Sequence, residues 1–148
     1  MSQLLNISEA ASLALHTMAV LAQGNRQRMR NQEIARRLGA SGHHLAKVMQ
    51  RLAKAGLVDS ACGPRGGFVL GKPADQVSLL TIYEAVEGPL SEHACLLNEP
   101  ICRGNCCVLG EVLDSIRRQL RDYLDRTTLA ELAGTVLLRC SDGGSSST

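Results

Sequence analysis

Aromatic side chains are nearly missing from this chain: Phe68, Tyr83 and Tyr123 are the only three, and tryptophan is absent. Proteins that hold single-stranded nucleic acid stack bases on aromatic rings, so that mode is disfavoured. Groove reading of duplex DNA works through hydrogen-bonding and cationic side chains and needs no rings. No run of about 18 apolar residues occurs, which argues against a transmembrane helix and predicts no membrane partner. The first residues lack a basic start, an apolar stretch and a small-residue cleavage site. No secretory signal is read there, and a cytoplasmic location is expected. A nucleophile–base set and a phosphate-cradling glycine loop are also missing, so an enzyme is not expected.

What the chain does have is a polarity of charge. Residues 1–72 carry ten Lys/Arg and three Asp/Glu, whereas residues 73–148 carry six and eleven. A basic front half predicts a polyanionic partner for that half. At 148 residues with 45% hydrophobic side chains, the chain can build a true core in one domain, or in a small domain with an appendage.

Residues 7–23 read as a helix capped by Ser8, with Leu13, Met18, Leu21 and Ala22 in an apolar stripe broad enough to be buried on more than one side. His16 on that helix reads as a partly buried core histidine. Gly24 ends the helix, and Arg26, Arg28 and Arg30 follow as a basic loop, either solvated or in contact with phosphate. Residues 31–38 make a short helix, with Asn31 a candidate cap and Ile34, Ala35 and Leu38 its apolar face. After Gly39 and Ala40, Ser41 caps a second helix over 42–55. There Leu45, Val48, Met49 and Leu52 fall at i, i+3, i+4 and i+7. The opposite face carries His43, His44, Lys47, Gln50, Arg51 and Lys54. Two short helices across a tight glycine turn form a helix-turn-helix, and a cationic, hydrogen-bonding outer face is what a major-groove reader requires.

Two β-capable runs follow, Leu57–Ala61 and Phe68–Leu70, around Cys62-Gly63-Pro64-Arg65-Gly66-Gly67. This predicts a hairpin, and a hairpin directly after a recognition helix is a wing. Gly66 and Gly67 would let its backbone approach a phosphate or a groove, and Arg65 at the tip would reach a minor groove or a phosphate. The expected fold is therefore mainly α with a small β-hairpin wing, a winged helix-turn-helix.

Residues 71–74 connect to a further short helix over 79–87, broken by Gly88-Pro89. Then comes the densest chemistry in the chain. Four of the six cysteines, Cys95, Cys102, Cys106 and Cys107, fall within thirteen residues that Pro100, Gly104 and Asn105 keep from regular structure. Such a loop could be a disulfide knot, a metal site or a redox switch. Thiolates are soft ligands suited to iron–sulfur clusters or zinc. Cys62 and Cys140 read as structural or incidental, and His93 as a weak ligand candidate. After Cys107, the apolar positions Leu109, Val112, Leu113, Ile116, Leu120, Tyr123 and Leu124 repeat with helical spacing. They describe an amphipathic helix of about 18 residues. A small winged domain does not need it for its own core, so dimerisation is its expected use. Thr128 caps a final short helix, Leu-Ala-Glu-Leu-Ala-Gly, before a polar tail.

Several strings together resemble the Rrf2 family of bacterial transcription regulators. They are Leu13-Ala14-Leu15, Ile34-Ala35 through Leu38-Gly39, Leu45 to Val48, Arg51 to Val58, Gly63 to Phe68, Leu70 to Ala74, and Thr128 to Leu132. The wing string is the most diagnostic. The resemblance implies a dimeric winged-helix DNA-binding regulator. In many members, which include iron–sulfur and nitric-oxide-sensing regulators, it also implies a cluster held by three cysteines before the long helix. The pattern at the start of that helix matches Cys107-Val108-Leu109 through Leu113, which makes the implied metal ligands Cys95, Cys102 and Cys107, with Cys106 an alternative. The histidine that some relatives place three residues after the last cysteine is Gly110 here. Others use an acidic residue of the first helix, at a position that is Ser12 here, so Ser12, Glu9 and His16 are the candidates for a fourth ligand. Cys62 also stands where relatives often carry a basic residue.

The resulting expectation has three parts. Residues 1–75 form a DNA-binding domain that uses Arg36, Arg37, Ser41, His43, His44, Lys47, Gln50, Arg51, Arg65, Gly66 and Gly67, with Lys54 adding phosphate contact. Residues 76–134 hold the cysteine loop (93–107), the dimerisation helix (107–125) and the last short helix. Residues 135–148 form a tail, disordered from about 141. The implied protein is a cytoplasmic homodimeric repressor of double-stranded DNA. It senses redox state, iron–sulfur status or nitric oxide through a 2Fe–2S or 4Fe–4S cluster. The alternative is a cluster-free member acting by thiol/disulfide switching or through a partner protein.

Overall fold

A computed structural model of the chain describes residues 7–90 and 108–141. Cys95, Cys102, Cys106, Cys107 and His93 lie outside the described residues. The elements in order are α1 (Glu9–Gln23), α2 (Asn31–Leu38), α3 (Gly42–Lys54), β1 (Val58–Ala61), β2 (Gly67–Leu70), α4 (Leu79–Glu87), α5 (Val108–Arg126) and α6 (Leu129–Ser141), with a 3₁₀ turn at Ala74–Gln76.

The helix starts follow from local chemistry. A helix leaves its first N–H groups without partners, and a side-chain oxygen just outside it can accept from them. Ser8 does so for Ala11, Ser41 for His44 and Ser78 for Thr81. Ser8 also donates to the Glu87 carboxylate, joining the start of α1 to the end of α4. At α6 the cap is reciprocal: the Thr128 hydroxyl accepts from the Glu131 N–H at 3.3 Å, and the Glu131 carboxylate accepts from the Thr128 N–H at 2.8 Å. Asn31 is not a cap. Arg30 occupies that position without a side-chain bond, and Asn31 is the first helical residue. Its Nδ2 donates to the Gly42 carbonyl at 2.9 Å and ties the start of α2 to the start of α3. This bond crosses between elements, so helix-start statistics do not foresee it.

α1 is the central helix. Ala11, Ala14 and Met18 are fully buried, and the helix packs against α3, α4 and α6. Alanines on its buried face let these neighbours come close. On α3, Leu45, Val48, Met49 and Leu52 are all buried. Burying side chains of this size is worth about 1.5–3 kcal/mol each, which fixes the rotation of α3 and turns its other face to solvent. One contiguous core joins Ala14 of α1 with Ile34, Leu52, Ile82 and Leu129, so α4 and α6 share the core of the helix-turn-helix. His16 is exposed rather than part of this core.

The wing pairs Val58 with Leu70 and Ala61 with Gly67 in antiparallel register. A third backbone joins it: Met29 and Phe68 exchange N–H to carbonyl bonds of 2.9 and 2.8 Å. The loop after α1 therefore edges the sheet. The two wing glycines are required by this close backbone packing. A Cβ on Gly66 would collide with the Ala61 carbonyl, and one on Gly67, at φ +133°, would sit 2.7 Å from the Met29 carbonyl.

The final helix is longer than its six-residue sequence signal. It runs through Gly134 to Ser141, since a mid-helix glycine costs only about 1 kcal/mol. Packing on α1 holds it, with Gln23 donating to the Ala133 carbonyl at 3.2 Å. A second clamp closes this region: Leu79 N–H reaches the Thr127 carbonyl (3.0 Å) and Leu129 N–H the Val77 carbonyl (2.8 Å).

Candidate nucleic-acid interface

The outward face of α3 carries His43, His44, Lys47, Gln50, Arg51 and Lys54, all exposed, and α3 has no acidic residue. Arg36 and Arg37 are exposed on α2, and Arg65 on the turn of the wing. The fold thus brings the predicted DNA-binding residues onto α2, α3 and the wing, the three successive parts of the winged helix-turn-helix.

These cations are not equivalent. Arg37 pairs with Glu33 at 3.3 Å. Arg51 donates to the Val86 carbonyl at 2.7 Å, which orients its guanidinium toward α4 while leaving other donors. His44 lies 3.7 Å from the Glu9 carboxylate, an exposed pair worth little in water. Ser41 spends its hydroxyl on the α3 cap. Among the described residues, Arg36, Lys47, Lys54 and Arg65 make no ion pair or side-chain hydrogen bond. Sequence reasoning missed the support of the wing. Arg30 donates to the Pro64 carbonyl at 2.5 Å and Arg28 to the Gly67 carbonyl at 3.3 Å, so two arginines of the loop brace the hairpin. No local signal marks this bracing, because Arg26 is left-handed at φ +64° rather than extended and the carbonyls that accept from Arg28 and Arg30 lie on the distant wing.

Among the described residues, no three His, Cys, Asp or Glu side chains come together as a metal site. The predicted cysteine ligands lie outside those residues, but α5 begins at Val108, one residue after Cys107. Glu9, Ser12 and His16 lie on one side of α1 at spacings of three and four. Glu9 and His16 are exposed there and Ser12 is half-buried. His16 Nδ1 donates to the Ser12 carbonyl at 2.7 Å, so Nε2 is the ring nitrogen not used in that bond. Cys62 is a free, exposed thiol in the wing turn, not a buried structural one. Tyr83 is the one described group with a clearly displaced acidity: burial, and then the nearby Glu87 carboxylate, push its hydroxyl above the ordinary 10.0.

α5 packs against α4, with Arg121 3.7 Å from Glu84. Its Leu124 is buried, but Leu109, Val112 and Tyr123 are 59%, 53% and 61% exposed. Three of the four large exposed hydrophobic residues described in the chain therefore sit on this helix. No described helix is long and apolar enough to cross a membrane.

Comparison with known proteins agrees with this architecture. Residues 7–135 match the Rrf2 family model, described as an iron-dependent transcriptional regulator. An Aquifex aeolicus protein provisionally named an HTH-type transcriptional regulator is 32% identical over 128 residues, 84% of this chain and 89% of that protein. The HTH-type transcriptional regulator IscR of Erwinia tasmaniensis is 34% identical over 100 residues, 68% of this chain but only 61% of its own length. Among solved structures, CymR, the global cysteine regulator of B. subtilis, superposes with a TM-score of 0.76 at 30% identity, covering 89% of this chain and 98% of that one. A match of this extent, on a helix-turn-helix with its braced wing, shows that the chain belongs to the Rrf2 family of transcriptional regulators.

Proposed function

We infer that this protein is a homodimeric, cytoplasmic repressor that binds operator DNA and responds to redox state, iron–sulfur status or nitric oxide. The observation that carries the DNA-binding part is the cationic set Arg36, Lys47, Lys54 and Arg65, unpaired among the described residues and displayed on α2, α3 and the wing. α3 enters a major groove with His43, His44 and Gln50 toward base edges, while Arg65 reaches the adjacent minor groove or a phosphate. A second copy is supported by the apolar side chains that α5 leaves in water, and a two-fold operator needs two recognition helices.

The sensing part rests on Cys95, Cys102 and Cys107 as ligands of an iron–sulfur cluster, with Cys106 as an alternative. Glu9, Ser12 or His16 of the partner subunit's first helix would complete the set. A bound cluster supplies a redox-active and nitric-oxide-reactive group. This chain contributes soft thiolate donors and, beside Cys107, the N-terminus of a 19-residue helix, which favours a thiolate. Because α5 starts one residue later, a change of ligation there is felt directly by the proposed dimer helix. It alters operator affinity only if the two states differ in their fit to DNA.

Purification without oxygen, followed by a visible spectrum and iron and sulfide counts, tests the sensing part. Iron and sulfide with visible absorption are expected. A colourless, iron-free protein after anaerobic reconstitution overturns the cluster while leaving DNA binding intact. The likeness to CymR over nearly its whole chain favours a second reading for that outcome, a cluster-free regulator acting through thiols or a partner protein.

A further inference from the structure

A groove at the base of the wing is used by none of the functions above. It holds about 590 Å³. Its floor is apolar, built by Leu21 and Ala22 at the end of α1, Val69 and Leu70 of β2, and Pro73 in the connector. Its charged lining is wholly cationic, from Arg26 and Arg28 in the loop after α1 and Lys72 after β2. Asp59 lies beside Gly71 but does not line the groove. Arg28 spends one donor on the Gly67 carbonyl, whereas Arg26 and Lys72 make no ion pair or side-chain hydrogen bond among the described residues. Asn25 and Arg26, both on the lining, hold φ values of +47° and +64°. A bulky residue such as Arg26 keeps that left-handed conformation only where its surroundings impose it.

We propose that this groove binds a small amphiphilic anion, a carboxylate carrying an apolar chain. The volume falls in the range of small-molecule sites, which combine an apolar lining with a few placed polar groups. Cations without a carboxylate among them select a negative head group, and the floor of leucine, valine and proline selects a hydrocarbon body. Duplex DNA fits less well, since its phosphates would leave that floor unused. The groove also lies along the Val69–Ala74 segment, leading away from the turn that carries Arg65. Its walls come from α1, from the loop paired to β2 through Met29 and Phe68, and from the connector, so an occupant bridges the wing to the helical core. An effect of occupancy on DNA affinity rests on the DNA-binding reading; the binding itself does not.

The test is a titration of the full chain with octanoate, followed by amide NMR, with octanol and acetate as the uncharged and the short analogues. Saturable shifts are expected at Ala22, Asn25, Arg26, Gly71 and Lys72 with octanoate alone. In the Arg26→Gln, Lys72→Gln double variant, whose amide spectrum reports its folding, affinity falls at least about tenfold through loss of two charge-assisted contacts. Shifts confined to the exposed face of α5, equal binding of octanol or acetate, an unchanged double variant, or no saturation at millimolar octanoate each overturn the proposal.

Discussion

A long cationic side chain acts on DNA only if the fold leaves its charge free. Among the described residues Arg65 has no ion pair or side-chain hydrogen bond, and it stands on a wing that two other arginines brace, so in the proposed complex it would meet DNA as part of a fixed hairpin. Arg65→Ala is expected to weaken operator binding by roughly fivefold and to lower the salt slope by about 1 if the contact is a phosphate. Affinity and slope both unchanged in a fluorescence-anisotropy titration would remove Arg65 from the interface. Gly67 fails for a different reason when substituted. A methyl group there meets the Met29 carbonyl at 2.7 Å in a backbone region that L-residues avoid. Gly67→Ala should cost about 1–3 kcal/mol of folding stability, read as a lower urea midpoint. The glycine pair was visible in the sequence as a site of close approach. What the glycines approach is the chain's own backbone, which sequence could not show because Met29 lies 38 positions from Gly67.

At the scale of elements, helices with a strict apolar face were legible and one-residue strands were not. α3 repeats its buried side chains at helical spacing, so its outer face followed without knowledge of its neighbours. The Met29 bridge is too short to have a period, and its pairing comes entirely from Phe68 on the wing. The length of α6 was missed because Gly134 reads as a stop, whereas packing against α1 carries the helix past it. α5 makes its prediction through what it does not bury. With Leu109 and Val112 in water, replacing both by aspartate should leave the fold intact and place charge at the face proposed for the second copy. Buried unpaired charge is costly, so dissociation to monomers is expected. Sedimentation velocity should then give half the mass of the parent at unchanged far-UV circular dichroism; a parent that is already monomeric would refute the dimer.

For the whole molecule, the separation of charge along the sequence becomes a separation in space only in part. Basic residues of the first half divide between the α2–α3–wing face and the groove at the wing base, two surfaces for which different partners are proposed. If the four cations that are unpaired among the described residues each meet a phosphate, and two protomers bind one operator as proposed, the slope of log affinity against log salt concentration is about −7. A slope near −2 from equilibrium binding over a range of salt would mean that most of these side chains stay in water. The same shared core holds α4 and α6 against α1, and Arg51 of α3 bonds the last turn of α4, so the second half of the chain is in mechanical contact with α3; the proposed sensing would use that route.

By itself the sequence determined the order of the main helices and the wing, the caps Ser8, Ser41 and Thr128 and the buried face of α3, because each is written in spacings of a few residues, while particular strings, the wing's above all, carried the resemblance to the family. It also marked the crowded cysteines as soft ligands or redox-active thiols through their spacing and chemistry alone. Tertiary structure decided which charges remain free: among the described residues, Arg28, Arg30, Arg37 and Arg51 are committed to partners, while Arg36, Lys47, Lys54 and Arg65 are not. Six of these eight carry the same guanidinium, and nothing local distinguishes them. A flexible side chain takes its partner from whatever the fold brings within reach, and that is a property of distance in space rather than distance along the chain.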